Sequence, residues 1–134
     1  MAGVAAAFPS VLVAAMLACA LAVAAPRSAP ARGEADYANY CAPCHGLQGN
    51  GDGPLAQMLV PRPARHTDPD FMNALSDDYL FRLLEEGGPA LGKSELMGAW
   101  GRSLSQQRVG DLVTYLRSLA NRNTKGAATH DAVQ

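Results

Sequence analysis

Two cysteines and a histidine stand together in Cys41-Ala42-Pro43-Cys44-His45, and no other feature constrains the chain as strongly. The remaining cysteine, Cys19, lies in an apolar leader. Once that leader is removed, no cysteine is left for a structural disulfide. Three bland uses of the motif compete. A thioredoxin-like pair needs a βαβ context, and the sequence shows no strand pattern. A zinc site needs a fourth ligand at suitable spacing, and the only other histidines are His66 and His130. A plain disulfide leaves His45 unexplained. The remaining reading is C-x-x-C-H as a covalent haem site, in which both thiols reach the two vinyl groups of one porphyrin and the adjacent histidine supplies an axial nitrogen. Covalent attachment fixes the cofactor even on a small domain.

Residues 1–25 carry no charged side chain, so all 11 basic and 12 acidic residues follow Ala25. Val11 to Ala25 is an unbroken apolar run, and Ala22-Val23-Ala24 matches a small-x-small cleavage pattern. The expected reading of 1–25 is a secretory signal peptide, although its usual basic start is missing. An uncleaved anchor is the alternative. It needs about 20 apolar residues, a length reached only by including Pro9 and Ser10. Arg27 and Arg32 on its C-terminal side would also leave the domain in the cytoplasm. Lipidation of Cys19 is a third option, on a poor lipobox. The expectation is an exported, periplasmic protein, with membrane association through the N-terminus as the variant. The near-neutral remainder excludes a nucleic-acid binder, which would show a basic excess or stripe.

Residues 26–32 read as a linker, 33–120 as the folded domain and 121–134 as a disordered polar tail. GEADYANY, Gly33 to Tyr40, has helical composition and runs into the motif. The glycine-rich GLQGNGDGP that follows is a loop, and LVPRPARHTDPD is irregular. Ser76 caps a second helix that ends at Gly87-Gly88-Pro89, with Leu75 and Leu80 as a hydrophobic staple. A third helix follows Ser105. Its Val109, Leu112, Val113, Leu116 and Leu119 line one face, and Leu104 with Val109 repeats the staple. The fold class is all-α.

With these residues in place, the stretch 33–120 resembles the class I monohaem cytochromes c. The resemblance implies a cytochrome c-like fold of three to five short helices around one haem c, attached through Cys41 and Cys44. It implies that Gly33 and Tyr37, at four-residue intervals from Cys41, pack against Leu112, Tyr115 and Leu116 of the last helix. It implies His45 as one iron ligand and a downstream methionine as the other. GKSELMGAWGRSLSQQRVGDLVTYLRSL resembles the family's distal loop and last helix, which selects Met97. Met58 and Met72 are then expected to fill space against the haem or core, and His66 is a minor candidate for the distal position. The family usually has proline after the ligand methionine. Gly98 stands there instead, so the expected ligation is looser. Pro54 matches the proline whose carbonyl holds the axial histidine, and Trp100 and Arg62 are candidate propionate contacts. Gly46, Gly49, Gly51 and Gly53 are expected to turn the chain beside the haem edge.

The resemblance implies a protein that is not an enzyme but passes one electron at a time between redox partners. The partners would be a reductase and an oxidase. The alternatives are a fixed haem subunit of a dehydrogenase or terminal oxidase complex, and a haem enzyme or sensor with a displaceable Met97.

Overall fold

The computed structural model describes residues 27–130, with side chains through Arg122. The expected signal peptide, including Cys19, lies outside the described residues, as do residues 131–134. Among the described residues the regular structure is helical: α1 (Ala29–Tyr40), α2 (Ala42–His45), α3 (Pro69–Asn73), α4 (Asp77–Glu86) and α5 (Gln106–His130), with single 3-10 turns at Ala56–Met58 and Pro89–Leu91.

Helix α1 starts inside the stretch expected to be linker. Pro30 sits in its first turn, where a missing N–H costs nothing and the fixed φ suits a helix. Its other end is set by Pro43. That residue cannot donate to the carbonyl four residues back, and its ring crowds that carbonyl. The chain breaks at Cys41 and rewinds at once as α2, with the N–H of His45 donating to the Cys41 carbonyl at 2.8 Å.

α1 packs along α5 with almost no space between the backbones. A Cβ placed on Gly33 would lie 2.1 Å from the Asp111 carbonyl oxygen and 2.8 Å from Tyr115 Cβ. One turn on, Tyr37 is 1% exposed, with its ring 5.2 Å from that of Tyr115. Another turn on, Cys41 is buried in the same core as Leu112 and Leu116. Two ion pairs flank the crossing. Arg32 grips Asp111 through two nitrogens at 2.6 and 3.0 Å, and Arg108 grips Asp36 at 2.5 and 2.9 Å. Each helix gives one arginine and one buried aspartate.

α4 starts and stops as expected. The Ser76 hydroxyl accepts from the N–H of Tyr79 at 3.1 Å, and Gly87 leaves the helix at φ +85°. Leu104 and Val109 are both in the core. α3 was not expected. Asp68 caps it by accepting from the N–H of Phe71, and Pro69 opens it. Arg117 of α5 ties this region down, bonding Asp77 at 2.7 Å and the carbonyls of Met72 and Leu75. The backbone of α5 runs on to His130, past the boundary at 120 from which a disordered tail was expected. Residues 121–130 contain no proline, so nothing in the covalent chain stops the helix once it is under way.

Two glycine substitutions on the paired helices should act in opposite directions. Gly33→Ala drives a methyl into the backbone of α5. Its overpacking cost of about 1–3 kcal/mol exceeds the gain of roughly 0.5–1 kcal/mol from alanine in a helix. At Gly110 a Cβ meets nothing within 4 Å, so Gly110→Ala should keep that gain of about 0.5–1 kcal/mol. Thermal unfolding followed by circular dichroism should show Tm falling for the first and rising for the second.

Candidate functional site

The glycine-rich loop closes over the C-x-x-C-H turn and satisfies its carbonyls. The N–H of Gly51 donates to the His45 carbonyl at 2.8 Å, that of Gly53 to Cys44 at 3.2 Å and that of Leu55 to Pro43 at 3.0 Å. Gly46, Gly49 and Gly51 take φ of +80°, +81° and +72°, which bends the chain back at each. Gly53 serves by close approach instead. A Cβ there would stand 2.5 Å from the carbonyl oxygens of both Ala42 and Pro43.

The returning chain brings residues 61–66 against His45. The Ala64 carbonyl lies 3.0 Å from His45 Nδ1. A carbonyl only accepts, so Nδ1 carries the proton and Nε2 keeps its lone pair. This corrects the role expected of Pro54. That residue is exposed and does not line the cavity described below. The loop carries it past the turn, and the segment after it supplies the acceptor. A backbone carbonyl has no residue identity, so the sequence held no signal for Ala64. Burial pushes the His45 imidazole below the usual histidine range, against the pull of its bond to Ala64.

His66 lies against His45 rather than across from it. The two rings stack with centroids 4.3 Å apart and planes at 19°. Its Nδ1 is hydrogen-bonded to the Tyr37 hydroxyl at 3.0 Å. Burial, with the neighbouring His45, pushes His66 down to about 3, so the ring is neutral near pH 7. Its place beside His45 removes it as a candidate for the opposite axial position. Tyr37 was expected in the helix contact and His66 as a minor distal candidate, and only their proximity in the fold reveals the run Tyr37–His66–His45.

Met97 hangs from the end of α4. The N–H of Gly88 donates to the Met97 carbonyl at 2.8 Å, and those of Trp100 and Gly101 reach the carbonyls of Leu84 and Glu85 at 2.8 and 3.1 Å. These bonds satisfy orphan carbonyls of the helix C-terminus. Gly88 admits the loop, since a Cβ would sit 2.2 Å from the Ser94 carbonyl oxygen and 2.9 Å from Met97 Cβ. Around Gly98 there is room, with Trp100 Cζ2 at 3.8 Å the nearest neighbour of a Cβ. Trp100 itself packs on Tyr40, ring centroids 5.0 Å apart. The other methionines separate. Met72 is 1% exposed and fills the core, whereas Met58 is 72% exposed and fills nothing, because the 3-10 turn at Ala56–Met58 points it outward.

One cavity of about 790 Å³ joins these parts. Cys41, Cys44, His45 and His66 line it together with Met97 and Trp100, and Arg62 and Lys93 are also among its lining residues. Leu80, Leu83, Leu84 and Leu116 help make its walls apolar. Neither Cys41 nor Cys44 is in a disulfide. Burial, with Asp36 and Cys44 nearby, pushes the Cys41 thiol up to about 12. The volume lies within the roughly 300–1,000 Å³ of ligand pockets. Two free thiols, an imidazole with a fixed tautomer and a thioether on one apolar cavity are a donor set that fits a covalently held haem.

Gly53→Ala should open the clamp on this turn. Its Cβ meets backbone oxygens that cannot swing away, so an overpacking cost of about 1–3 kcal/mol outweighs the roughly 0.4–1 kcal/mol that Gly→Ala gains through the unfolded chain. A denaturant titration should show a lower midpoint.

Comparison with known proteins shows what the chain as a whole is similar to. The family model described as cytochrome c oxidase, cbb3-type, subunit III matches residues 28–116. No curated protein matches the chain. A chain of the Kuenenia stuttgartiensis reducing HAO-like protein complex Kustc0457/Kustc0458 matches with TM-score 0.53 and 27% identity over 66% of this chain. Only 41% of that longer chain is covered. The solved KustC0563 c-type cytochrome matches with TM-score 0.55 and 26% identity, over 65% of this chain and 95% of its own. The chain belongs to the matched family, and it is a c-type cytochrome domain of class I.

Proposed function

We propose that this chain carries one haem c and transfers single electrons between redox proteins outside the cytoplasm. The observation that carries this reading is the meeting of Cys41, Cys44, His45 and Met97 on one largely apolar cavity. Cys41 and Cys44 would each add S–H across a porphyrin vinyl group, forming one C–S and one C–H bond with no oxidant. His45 Nε2, left unprotonated by the bond to Ala64, would be one axial donor, and the Met97 thioether the other. When bound, haem supplies a one-electron ferric–ferrous couple. With His45 and Met97 both holding the iron, no position would be left for a substrate, which favours electron transfer over ligand chemistry. Trp100 and Arg62 line the same cavity and would hold the propionates. The leader 1–25 would direct export, and the helical domain that starts with α1 at Ala29 would hold the haem.

A second reading is a fixed subunit of a larger redox complex. Its support is the family description, which names an oxidase subunit, and the likeness to a chain from a multi-protein complex. Gel filtration of a native extract separates the two. The haem band elutes near the mass of the chain for a carrier, and far ahead of it for a subunit.

Two further outcomes are expected. Acidified acetone should leave the colour on the protein, and passage of haem into the solvent would overturn covalent attachment. Met97→Ala should abolish the weak sulfur-to-iron charge-transfer band at the red end of the ferric spectrum. It should also let the reduced protein bind carbon monoxide and lower the potential, since axial ligation tunes haem over about 0.8 V. Met58→Ala and Met72→Ala should keep the band. Its loss in Met72→Ala instead would misplace the distal ligand.

A further inference from the structure

His66 has no part in the attachment or ligation proposed above, yet its ring lies flat on that of His45. Its own position is fixed from several directions. The His66 N–H donates to the Gly49 carbonyl at 2.7 Å, and the next N–H, of Thr67, reaches the same oxygen at 3.2 Å. The Tyr37 hydroxyl bonds Nδ1 at 3.0 Å, while the Tyr37 ring meets the imidazole edge-on at 5.7 Å and 72°. Tyr37 in turn is locked into the α1–α5 contact against Tyr115. The Gly49 backbone packs close to the base of the side chain, since a Cβ there would come within 3.2 Å of His66 Cβ and 3.0 Å of Leu119 Cδ1.

Otherwise the His45 ring has one hydrogen bond, to the Ala64 carbonyl at 3.0 Å. Ala64 lies in irregular chain between the exposed residues Arg62 and Arg65. An imidazole bound through one nitrogen keeps a soft rotation about that bond. A hydrogen bond at the other nitrogen limits the rotation. A second flat ring, itself held in place, closes off the remaining freedom by filling the space on one face. Stacked aromatic rings also gain more than their buried area alone supplies.

We propose that His66 is a positioning residue for His45. Tied to Tyr37 and to the Gly49 carbonyl, its ring braces one face of the His45 imidazole and sets the plane of that ring. The inference rests on the haem reading above. It assigns His66 no contact with iron and no proton transfer.

The plane of an axial imidazole decides how unpaired spin spreads over the porphyrin of a ferric haem protein. Proton NMR of the ring methyls therefore reads it directly, and a change in stability alone does not move that pattern. The experiment compares the oxidised holoprotein with His66→Ala, His66→Phe, Tyr37→Phe and, as control, Met58→Ala. His66→Ala should alter the order and spread of the ring-methyl resonances. Tyr37→Phe, which keeps both rings but cuts the tie, should shift them less and in the same direction. His66→Phe should restore the pattern to that of Tyr37→Phe, because a flat ring again fills the face. Met58→Ala should match the wild type. A wild-type pattern in either His66→Ala or Tyr37→Phe overturns the brace. So does a His66→Phe pattern displaced as far as that of His66→Ala. If His66→Ala does not fold, Tyr37→Phe decides the matter. The wild-type spectrum separates the two levels of the argument. A spectrum with no ring-methyl resonances overturns the haem reading itself, whereas resonances that ignore these substitutions overturn the brace alone.

Discussion

The molecule is organised by the contact of two backbones at Gly33. Where α1 meets α5, no side chain separates the Gly33 Cα from the Asp111 carbonyl. Helix axes that close let the next turns of α1 bury Tyr37 and then Cys41 against the same face of α5. The position of Cys41 is thus inherited from a packing contact two helical turns away. The ion pairs Arg32–Asp111 and Arg108–Asp36 bracket the contact. Their carboxylates are buried and their guanidinium groups half exposed. Such pairs return little net stability once desolvation is counted, but a slipped helix would strand a buried carboxylate. Their effect is on register, and register is what the cysteine needs.

The two sides of the cavity are built on different principles. The His45 side is braced by side chains and loop amides converging on one turn. Gly51, Gly53 and Leu55 donate to its carbonyls, Ala64 accepts from its ring, and His66 covers its face. The Met97 side hangs from a helix terminus. Its backbone is held by Gly88, and the following Trp100 and Gly101 are held by carbonyls that α4 would otherwise leave unpaired. That loop needs no secondary structure of its own, because the end of α4 already presents the acceptors. Arg117 secures the wall between the two sides by gathering the carbonyls of Met72 and Leu75 and the Asp77 carboxylate onto α5.

Much of this was legible in the sequence, for a physical reason. The helix contact depends on Gly33 and Tyr37 at a spacing of four, the α4 boundaries on Ser76 and Gly87, and the core face of α5 on a three- and four-residue rhythm. Each is a side-chain property that leaves a letter in the chain. What escaped reading depends on backbone atoms or on neighbours brought together only by folding. The acceptor for His45 is the carbonyl of Ala64, not Pro54, and any residue could have supplied it. His66 was read only as a minor distal candidate because its partners, Tyr37 and His45, lie 29 and 21 positions away. Met58 and Met72 are the same letter in similar surroundings, and only the turn at Ala56–Met58 sends one outward. α3 did leave a signal in Asp68-Pro69, a capping residue followed by a proline at the first helical position.

The charges around the cavity bear on which oxidation state it favours. His45 and His66 are both held toward their neutral forms by burial, and a thioether is neutral as well. The walls are leucine, aromatic ring and methionine. In the proposed reading the iron–porphyrin core carries one positive charge when ferric and none when ferrous. A wall of low polarity disfavours the charged form, because it replaces water without replacing water's solvation. Arg62 and Lys93 on the lining add positive potential of the same sign as the ferric core, and Glu95 on the same lining opposes it. The propionates, as anions, offset part of that potential where they pair with it. Ligand softness and apolar walls therefore act in one direction, toward the reduced state. Solvent reaching the cavity beside Met97 would oppose them, and around Gly98 a Cβ would meet only Trp100 Cζ2, at 3.8 Å. In the proposed reading the potential would therefore depend on how closely the segment 97–101 stays bonded to the end of α4.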